Sequence, residues 1–189
     1  ATPVLFVETQ MLFPETLAYQ QELADRLGLT DVRTIRPAPA DLDAVDPGDT
    51  LHLSDPDGCC HVRKVLPLER ALGPFDAWIT GRKRGQSRAR AGLRLFETDA
   101  AGRIKLNPLA GWSVGEVRAE MARRGLPPHP LVNRGFPSIG CLPCTTPVDV
   151  GEDPRAGRWR GRSKEECGIH VIDGRVVRSG PRHAGPLDA

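Results

Sequence analysis

The sequence predicts an α/β domain built around a parallel sheet. A strand, a helix and a second strand follow one another within the first 36 residues, an order in which a crossover helix joins two parallel strands. The chain has 189 residues, of which 39% are hydrophobic and 26% charged. These values are ordinary for a globular protein and allow one domain with a real core.

The first strand–helix–strand unit has clear boundaries. Residues 3–7 form a short β-rich apolar run, which predicts a buried strand. Pro14 suits the first position of a helix, and Gly28 is a natural residue with which to end it. Residues 31–36 then predict the second strand.

The middle of the chain predicts mixed structure. We expect turns over residues 41–56, and a helix over residues 60–72 that is interrupted at Pro67. A third strand is predicted over residues 76–80. Residues 81–92 predict a basic loop because they lack periodicity.

A hairpin and a further helix are predicted next. Residues 93–97 and 104–107 flank an Asp-Ala-Ala-Gly turn, which predicts a β-hairpin. Ser113 and Glu116 have the spacing of a capping box, which predicts a helix that starts there and ends near Gly125.

The last part of the chain predicts loops more than regular structure. Residues 126–147 hold six prolines, so we expect a stiff loop. Residues 171–177 predict a hairpin around an Asp-Gly turn, and the residues from Arg178 onward predict disorder. We expect an α/β domain over residues 1–160 and a C-terminal segment over residues 161–189.

Charge and hydropathy exclude several classes of protein. The net charge is only +2, but two stretches without acidic residues, 82–94 and 155–164, are strongly basic. They favour a local anionic ligand over a nucleic-acid binder, with solvated loops as the alternative. The sequence lacks an apolar run of roughly 18 residues and a signal peptide. We therefore predict a cytoplasmic protein without nucleic-acid or membrane partners, and a homo-oligomer stays open.

Five cysteines fall into two pairs and one single residue. The pairs are Cys59-Cys60 and the CxxC of Cys141 and Cys144, and the single residue is Cys167. Four thiolates in two pairs can hold an iron–sulfur cluster or a zinc ion. An adjacent pair is not the usual zinc half-site, so the pattern favours iron–sulfur, with ordinary buried cysteines as the alternative.

Cys167 is left over as a candidate nucleophile. It follows the second basic stretch, and cationic neighbours activate a thiol. Ser163 and Glu166 have capping-box spacing, which predicts a helix start beside it. A spare thiol in a loose tail is the alternative.

These cysteine motifs occur with other short motifs between residues 3 and 171. The motifs are Leu12-Phe13-Pro14-Glu15-Thr16, Trp78-Ile79-Thr80-Gly81 with Gln86-Ser87, Asn107-Pro108-Leu109, His129-Pro130-Leu131, Pro137-Ser138-Ile139-Gly140, the segment from Gly151 to Trp159, and Glu166-Cys167-Gly168-Ile169-His170. The combination resembles the assimilatory sulfonucleotide reductases, most closely their iron–sulfur branch, the adenylyl-sulfate (APS) reductases, which are related to PAPS reductases. The resemblance implies the parallel-sheet fold of the PP-loop, adenine-nucleotide alpha-hydrolase-like proteins.

The resemblance also implies an activity and a cofactor. Cys59, Cys60, Cys141 and Cys144 match the ligands of one [4Fe–4S] cluster. Cys167 matches the nucleophile, whose thiolate attacks the sulfate sulfur of adenosine 5′-phosphosulfate, expels AMP and leaves an S-sulfocysteine. Reduced thioredoxin or glutaredoxin then releases sulfite, a step of sulfate assimilation and cysteine biosynthesis.

Other site residues follow from the same resemblance. Lys64 matches a lysine between the cluster and the substrate, and His170 matches a histidine beside the nucleophile. Arginines of the two basic stretches match residues near the nucleotide and near the reacting end. The predicted substrate contacts are Thr9, Arg84, Arg90, Arg155 and Arg158.

Two departures from the family concern the nucleotide site. The family carries a glycine-rich, serine-containing phosphate loop on the strand before residue 3, whereas this chain opens as if in mid-sheet, so we expect N-terminal truncation. The strand-end motif, Leu-Asp-Thr-Gly in the family, is Val7-Glu8-Thr9-Gln10 here. Loss of that glycine hinders close approach of a phosphate.

Three alternative functions stay open. They are a PAPS reductase, a tRNA-thiolating PP-loop enzyme and a non-catalytic domain stapled by its metal. The motif at residues 166–170 and the lack of an evident RNA-binding module argue against the second. The contacts to the ribose 3′ position, which distinguish APS from PAPS, are not readable from the sequence.

Overall fold

A computed structural model of the chain describes residues 2–169, and it confirms the α/β class. His170, the predicted hairpin at residues 171–177 and the predicted disorder from Arg178 lie outside the described residues. The division of the chain at residue 160 stays a prediction.

The predicted strand–helix–strand unit is confirmed. Strand β1 (Val4–Val7) lies parallel to β2 (Val32–Ile35), with Val4 opposite Val32, and helix α1 (Pro14–Arg26) connects them. Pro14 occupies the first turn of α1, where its missing N–H leaves no bond unmade. Gly28 follows the helix at φ +61°, a left-handed conformation that glycine adopts without strain.

The segment predicted as turns is largely helical, so that prediction is wrong. It contains α2 (Pro39–Val45), α3 (Leu51–Ser54) and the start of α4 (Pro56–Cys60). Helices α2 and α4 each have a proline in their first turn. Proline there starts a helix as readily as it marks a turn, which is why composition misled the prediction.

The next helix is interrupted close to the predicted place. A π-helical turn (His61–Val65) follows α4 directly and leads into α5 (Leu66–Leu72). Pro67 has no N–H to give to the carbonyl of Arg63, so the regular α-helical ladder is broken one turn upstream. The cysteine pair therefore ends one helix and the π turn begins the next.

A second, mixed sheet completes the strands. Its order is β3 (Ala77–Ile79), β5 (Ile104–Leu106), β4 (Phe96–Thr98), with β3 parallel and β4 antiparallel to β5. Strands β4 and β5 form the predicted hairpin, which Gly102 closes at φ +83°. Over residues 2–169 this sheet and the β1–β2 pair are separate.

The second half of the chain packs its loops on α1. Helix α6 (Val114–Arg123) begins with the predicted capping box of Ser113 and Glu116. The proline-rich loop that follows is fixed by side chains: the Tyr19 hydroxyl donates to the Pro127 carbonyl at 2.8 Å, and the rings of Phe13 and Phe136 meet edge to face at 5.6 Å. These contacts hold the CxxC loop beside the end of β1.

A buried arginine joins three parts of the fold. Arg63, in the π turn, is 1% exposed and donates through Nε and Nη2 to Oδ2 of Asp46, at 3.0 and 2.7 Å. Its Nη1 donates to the carbonyl of Thr9 at 3.1 Å, at the end of β1. Burial raises the pKa of Asp46, but hydrogen bonds from the Leu51 N–H and Arg63 outweigh it and leave the pKa below its ordinary 3.8.

No helix among residues 2–169 is long and apolar enough to cross a membrane.

Replacing Asp46 tests this junction. Asp46→Asn leaves the buried Arg63 guanidinium with the exposed carboxylate of Asp49 in place of a buried counter-charge, so we expect the free energy of unfolding to fall by about 3 kcal/mol, measured by urea denaturation at neutral pH. A carboxyl with a lowered pKa stabilises the fold at neutral pH and loses that contribution as the pH falls. The variant should therefore also lose stability less steeply in acid.

The matched control is Asp43→Asn, on an exposed position of α2, the helix that ends just before Asp46. We expect it to change stability by less than about 0.5 kcal/mol. Equal stabilities of the two variants would contradict the role of the Arg63–Asp46 pair.

Candidate active site and cysteine cluster

The adjacent cysteines lie at the end of a short, well-capped helix. Asp55 caps α4 by accepting hydrogen bonds from the N–H groups of Asp57 and Gly58, at 3.1 and 2.9 Å. A Cβ on Gly58 would lie 2.4 Å from the Asp55 carboxylate, so this cap needs glycine. Cys59 and Cys60 follow and are both buried.

The CxxC is brought to the end of β1 by backbone pairing. Leu142 donates its N–H to the Met11 carbonyl at 2.8 Å, and residues Leu142–Cys144 form a 3₁₀ turn. The Thr9 hydroxyl lies 3.2 Å from Sγ of Cys141. Thr9 thereby contacts both the CxxC and, through its carbonyl, the buried Arg63.

The four paired thiols lie close enough to influence one another. Burial, together with the charges of Cys60, Cys141 and Cys144, raises the pKa of Cys59 to about 12 against the opposing effect of Arg63. Burial and Cys141 also raise the pKa of Cys144. Four thiolates confined in this way repel each other, so they ionise together only around a cation.

This donor set fits an iron–sulfur cluster by its chemistry. Within residues 2–169, no group of three or more histidine, cysteine, aspartate or glutamate side chains is arranged to hold a metal ion as it stands. Even so, the four cysteines are shielded from solvent wholly or in part, and buried thiolates are the usual ligands of such clusters. The cluster therefore remains a proposal that rests on the donors.

Lys64 lies beside the cysteine pair and interacts electrostatically with the lone cysteine. It sits in the π turn, is 9% exposed, and its Nζ lies 3.9 Å from Sγ of Cys60. Burial lowers the pKa of Lys64, but Cys141, Cys60 and Cys167 raise it more, so it stays above its ordinary value. Lys64 is thus a fixed positive charge facing the thiols.

Cys167 is half-buried in a segment without helix or strand. The predicted capping box of Ser163 and Glu166 is wrong, because residues 164–167 form neither helix nor strand. Glu166 turns instead to the first basic stretch, where its carboxylate accepts from Arg90 and Ser87. Glu166 therefore forms a long-range ion pair with Arg90 instead of a local helix cap with Ser163.

The second basic stretch forms a cationic groove beside this segment. Arg158 stacks on the Trp159 ring, with its guanidinium carbon 4.5 Å from the ring centroid, and donates to the Ile139 carbonyl at 3.1 Å. Burial lowers the pKa of Arg155, and the charges of Arg158 and Arg90 lower it further despite the opposing Glu166. The groove encloses about 380 Å³; cations on its walls include Arg88, Arg155, Arg158, Arg160, Arg162 and Lys164. Such crowding favours a multiply charged anion.

Two glycines let the groove close on the CxxC loop. A Cβ on Gly140 would lie 2.2 Å from the Arg158 guanidinium, and a Cβ on Gly157 would lie 2.0 Å from the Thr146 carbonyl oxygen. The N–H of Thr146 donates to the Gly157 carbonyl at 2.9 Å, and Trp159 donates its N–H to the Cys144 carbonyl at 3.0 Å. Residues 155–159 are therefore held against the CxxC.

The remaining predicted contacts are distributed differently. Arg84 is exposed; its Nε donates to the Leu93 carbonyl at 2.8 Å, and it packs against Gly111. Arg90 is buried and committed to Glu166 and Gln86, so a direct contact with a nucleotide would require that pair to open. Gln10, where the family has glycine, takes the left-handed φ of +61°. A residue other than glycine adopts this conformation only at the cost of strain.

The structure thus gathers most of the predicted residues into one region. Thr9, Lys64, Cys167 and the arginine groove adjoin the four paired cysteines, whereas Arg84 packs elsewhere. Sequence analysis missed Arg63, Asp46 and the role of Glu166. Arg63 was visible in the sequence as a charged residue within a predicted helix. Its partner Asp46, 17 residues away, could not be recognised from the sequence.

The chain is similar to known proteins of one family. A family model described as the phosphoadenosine phosphosulfate reductase domain matches residues 1–147. The chain is 49% identical to an adenosine 5′-phosphosulfate reductase of Chelativorans sp. (strain BNC1), over 89% of this chain and 69% of that protein. It is 46% identical to a phosphoadenosine 5′-phosphosulfate reductase of Gloeobacter violaceus, over 88% of this chain and 70% of that protein.

A solved structure supports the fold. The crystal structure of phosphoadenylyl-sulfate (PAPS) reductase from Candida auris, in a phosphate complex, superposes with a TM-score of 0.64. The two proteins are 29% identical, and the match covers 77% of this chain and 73% of that one.

The close contact at Gly157 predicts a steep response to a single methyl group. Gly157→Ala would push Cβ into the Thr146 carbonyl, so we expect the free energy of unfolding to fall by about 1–3 kcal/mol, measured by chemical denaturation. Gly115→Ala, in α6 with only Ser113 Oγ at 3.8 Å, is the matched control and should gain about 0.5–1 kcal/mol. Equal changes in the free energy of unfolding in the two variants would show that the backbone around Gly157 and Thr146 moves apart without cost.

Proposed function

Because the chain belongs to the phosphoadenosine phosphosulfate reductase domain family, we propose that it reduces adenosine 5′-phosphosulfate (APS) to sulfite and AMP. The observation that carries the proposal is that Cys167, a half-buried thiol, lies close enough to both Lys64 and Arg155 for their charges to interact. A nucleophile surrounded by fixed cations suits attack on a substrate that carries both a phosphate and a sulfonate.

The first step forms a covalent intermediate. Cys167 attacks as a thiolate through Sγ at the sulfate sulfur, the bond from that sulfur to the bridging oxygen breaks, and AMP leaves with the electron pair. Arg155 and Arg158 stabilise the charge on the transferred sulfonate and the departing phosphate. His170, beside the nucleophile in sequence, is proposed to assist catalysis. The product on the protein is an S-sulfocysteine.

The second step releases sulfite and needs a dithiol protein. A thiolate of thioredoxin or glutaredoxin attacks Sγ of Cys167, so sulfite leaves and a mixed disulfide forms. The second thiol of the partner then displaces Cys167 and closes the partner's disulfide. The two electrons lost by the dithiol account for the reduction of sulfur from sulfate to sulfite. This chemistry suits a reducing compartment such as the cytoplasm.

Four cysteines are proposed to hold a cluster beside this centre. The ligands are Cys59, Cys60, Cys141 and Cys144. A [4Fe–4S] cluster bound there would supply a net negative charge with its four thiolates and lock two distant segments together. Lys64 balances that charge on the side that faces Cys167. Thr9 and Arg84 remain predicted contacts of the nucleotide, whereas Arg90 would reach a nucleotide only if its pair with Glu166 opened.

A second candidate substrate is phosphoadenosine phosphosulfate (PAPS). It differs from APS by a 3′-phosphate, and the Gloeobacter relative is named for it at nearly the same identity as the APS-named relative. We favour APS because all four candidate cluster cysteines are present. A non-catalytic domain stapled by its metal is a further alternative, because a cluster with a purely structural role would require no nucleophile.

Sulfite release tests the activity and the substrate together. The full-length protein, given both sulfonucleotides in competition with reduced thioredoxin, should release sulfite with a higher kcat/KM for APS. A higher kcat/KM for PAPS would reassign the substrate. Release from neither would contradict the proposed function.

The division between nucleophile and cluster ligands gives a second test. Cys167→Ser should keep full iron content and visible absorption, yet lower sulfite release by roughly three orders of magnitude or more, because a hydroxyl is a far weaker nucleophile than a thiolate. Cys141→Ser should lose iron. Iron analysis, acid-labile sulfide and visible spectra measure both.

The covalent intermediate supplies the control. Wild-type protein given APS without thioredoxin should gain one sulfonate on the peptide that carries Cys167, seen by mass spectrometry, and Cys167→Ser should not. Loss of iron in Cys167→Ser would make that residue structural, and zinc without sulfide would replace the cluster assignment.

A further inference from the structure

The carboxylate of Glu166 is held by residues from a distant loop. Arg90 donates through Nε to Oε1 at 2.8 Å and through Nη2 to Oε2 at 2.5 Å, and the Ser87 hydroxyl donates to Oε1 at 2.7 Å. The side chains of Arg90 and Glu166 are each only 10% exposed. We call the ion pair and its Ser87 bond the Arg90–Glu166 clamp.

The geometry makes this a strong and specific contact. Two parallel bonds between a guanidinium and a carboxylate fix distance and orientation together. The remaining nitrogen of Arg90, Nη1, donates to the Gln86 side chain, so every branch of the guanidinium has a partner. Burial makes removal of one charge costly, because the other is left uncompensated.

The clamp is the side-chain anchor next to the nucleophile. Glu166 immediately precedes Cys167, and residues 164–167 have no helix or strand to hold them. Arg155 donates to the Glu165 carbonyl at 2.8 Å, and Lys164 pairs with Asp57 near the cysteine helix. Gly168 follows with a left-handed φ of +80°, so the chain changes direction directly after Cys167. The direction in which Cys167 points therefore depends on these side-chain bonds.

We propose that Glu166 is a positioning residue that holds Cys167 near Lys64 and Arg155, and that Arg90 acts through Glu166 and not by contact with the nucleotide. The proposal rests on the reductase activity proposed above only for its kinetic consequences. The positional consequence, a restrained Cys167, is independent of any substrate.

The competing assignment makes an opposite prediction. If Arg90 binds the nucleotide directly, Glu166 competes for it, and Glu166→Gln should free the guanidinium and lower KM. If the clamp positions Cys167, Glu166→Gln and Arg90→Gln should both lower kcat about tenfold or more, with KM changed less than about threefold. Because they break one contact, the double variant should lose no more than either single variant.

The substrate-free test is the rate at which iodoacetamide alkylates Cys167 in the iron-loaded protein, followed by peptide mass spectrometry. Both clamp variants should raise this rate about tenfold or more, since an unpinned segment samples open states. The two substitutions remove charges of opposite sign near the thiol, so a purely electrostatic effect would move the rates in opposite directions. Glu165→Gln, the same change on the exposed neighbour, should leave the rate unchanged.

Each outcome decides the proposal. Faster alkylation in both variants, with the same loss of kcat, supports the proposal. Faster alkylation in both variants of a protein that releases no sulfite also supports it, and in that case only the proposed reductase function fails. Unchanged alkylation, opposite changes, or a raised KM in Arg90→Gln alone would overturn it. If both glutamine variants fail to retain iron, Ser87→Ala, which removes one bond of the clamp, should still raise alkylation; no increase would again overturn the proposal.

Discussion

The fold around the candidate site depends on the burial of one guanidinium. Removing an arginine from water is costly unless its donors and its charge are all matched. Arg63 meets this requirement with Asp46 and with the carbonyl of Thr9. Since Arg63 follows the cysteine pair by three residues and Thr9 contacts Cys141, this single residue aligns the adjacent cysteines, the strand end and the CxxC. The cysteine arrangement is therefore a consequence of a buried ion pair and not only of its own thiols.

The site as a whole is organised by opposing charges. Candidate thiolates collect on one side and arginines on the other, with Lys64 between them. Neither group of charges is compensated by its own members: burial makes the thiols resist ionisation, and burial together with the charges of Arg158 and Arg90 lowers the pKa of Arg155. An anionic substrate in the groove and a cationic metal core among the thiols would each relieve one of these repulsions. Both proposals follow from the same electrostatic imbalance.

The segment that carries Cys167 shows how such a centre can be held without regular structure. Its anchors come from two basic stretches that are distant in sequence, through Arg90 and Arg155. The basic residues thus serve two purposes. Some line the groove, where an external anion could bind, and others are paired with internal carboxylates, as Arg90 is with Glu166 and Lys164 with Asp57. Composition alone cannot distinguish these uses, because both require the same residue type.

Local patterns determined much of this protein from sequence. The β1–α1–β2 unit, the hairpin, the capping box of α6 and the interruption before Pro67 were all predicted, since each depends on a few neighbouring residues. The motifs also identified the family and the division of the cysteines into pairs and a single residue. The predictions that failed rested on local patterns with two possible meanings. The prolines at residues 39 and 56 start helices where turns were expected, and the Ser163–Glu166 spacing does not begin a helix. Only the tertiary structure decided the contacts that build the site. These contacts join Arg63 to Asp46, 17 positions away, Arg90 to Glu166, 76 positions away, and Thr9 to Cys141, 132 positions away. Such pairs arise because burial forces charged and polar groups to find partners wherever the fold brings them, and sequence spacing carries no record of that choice.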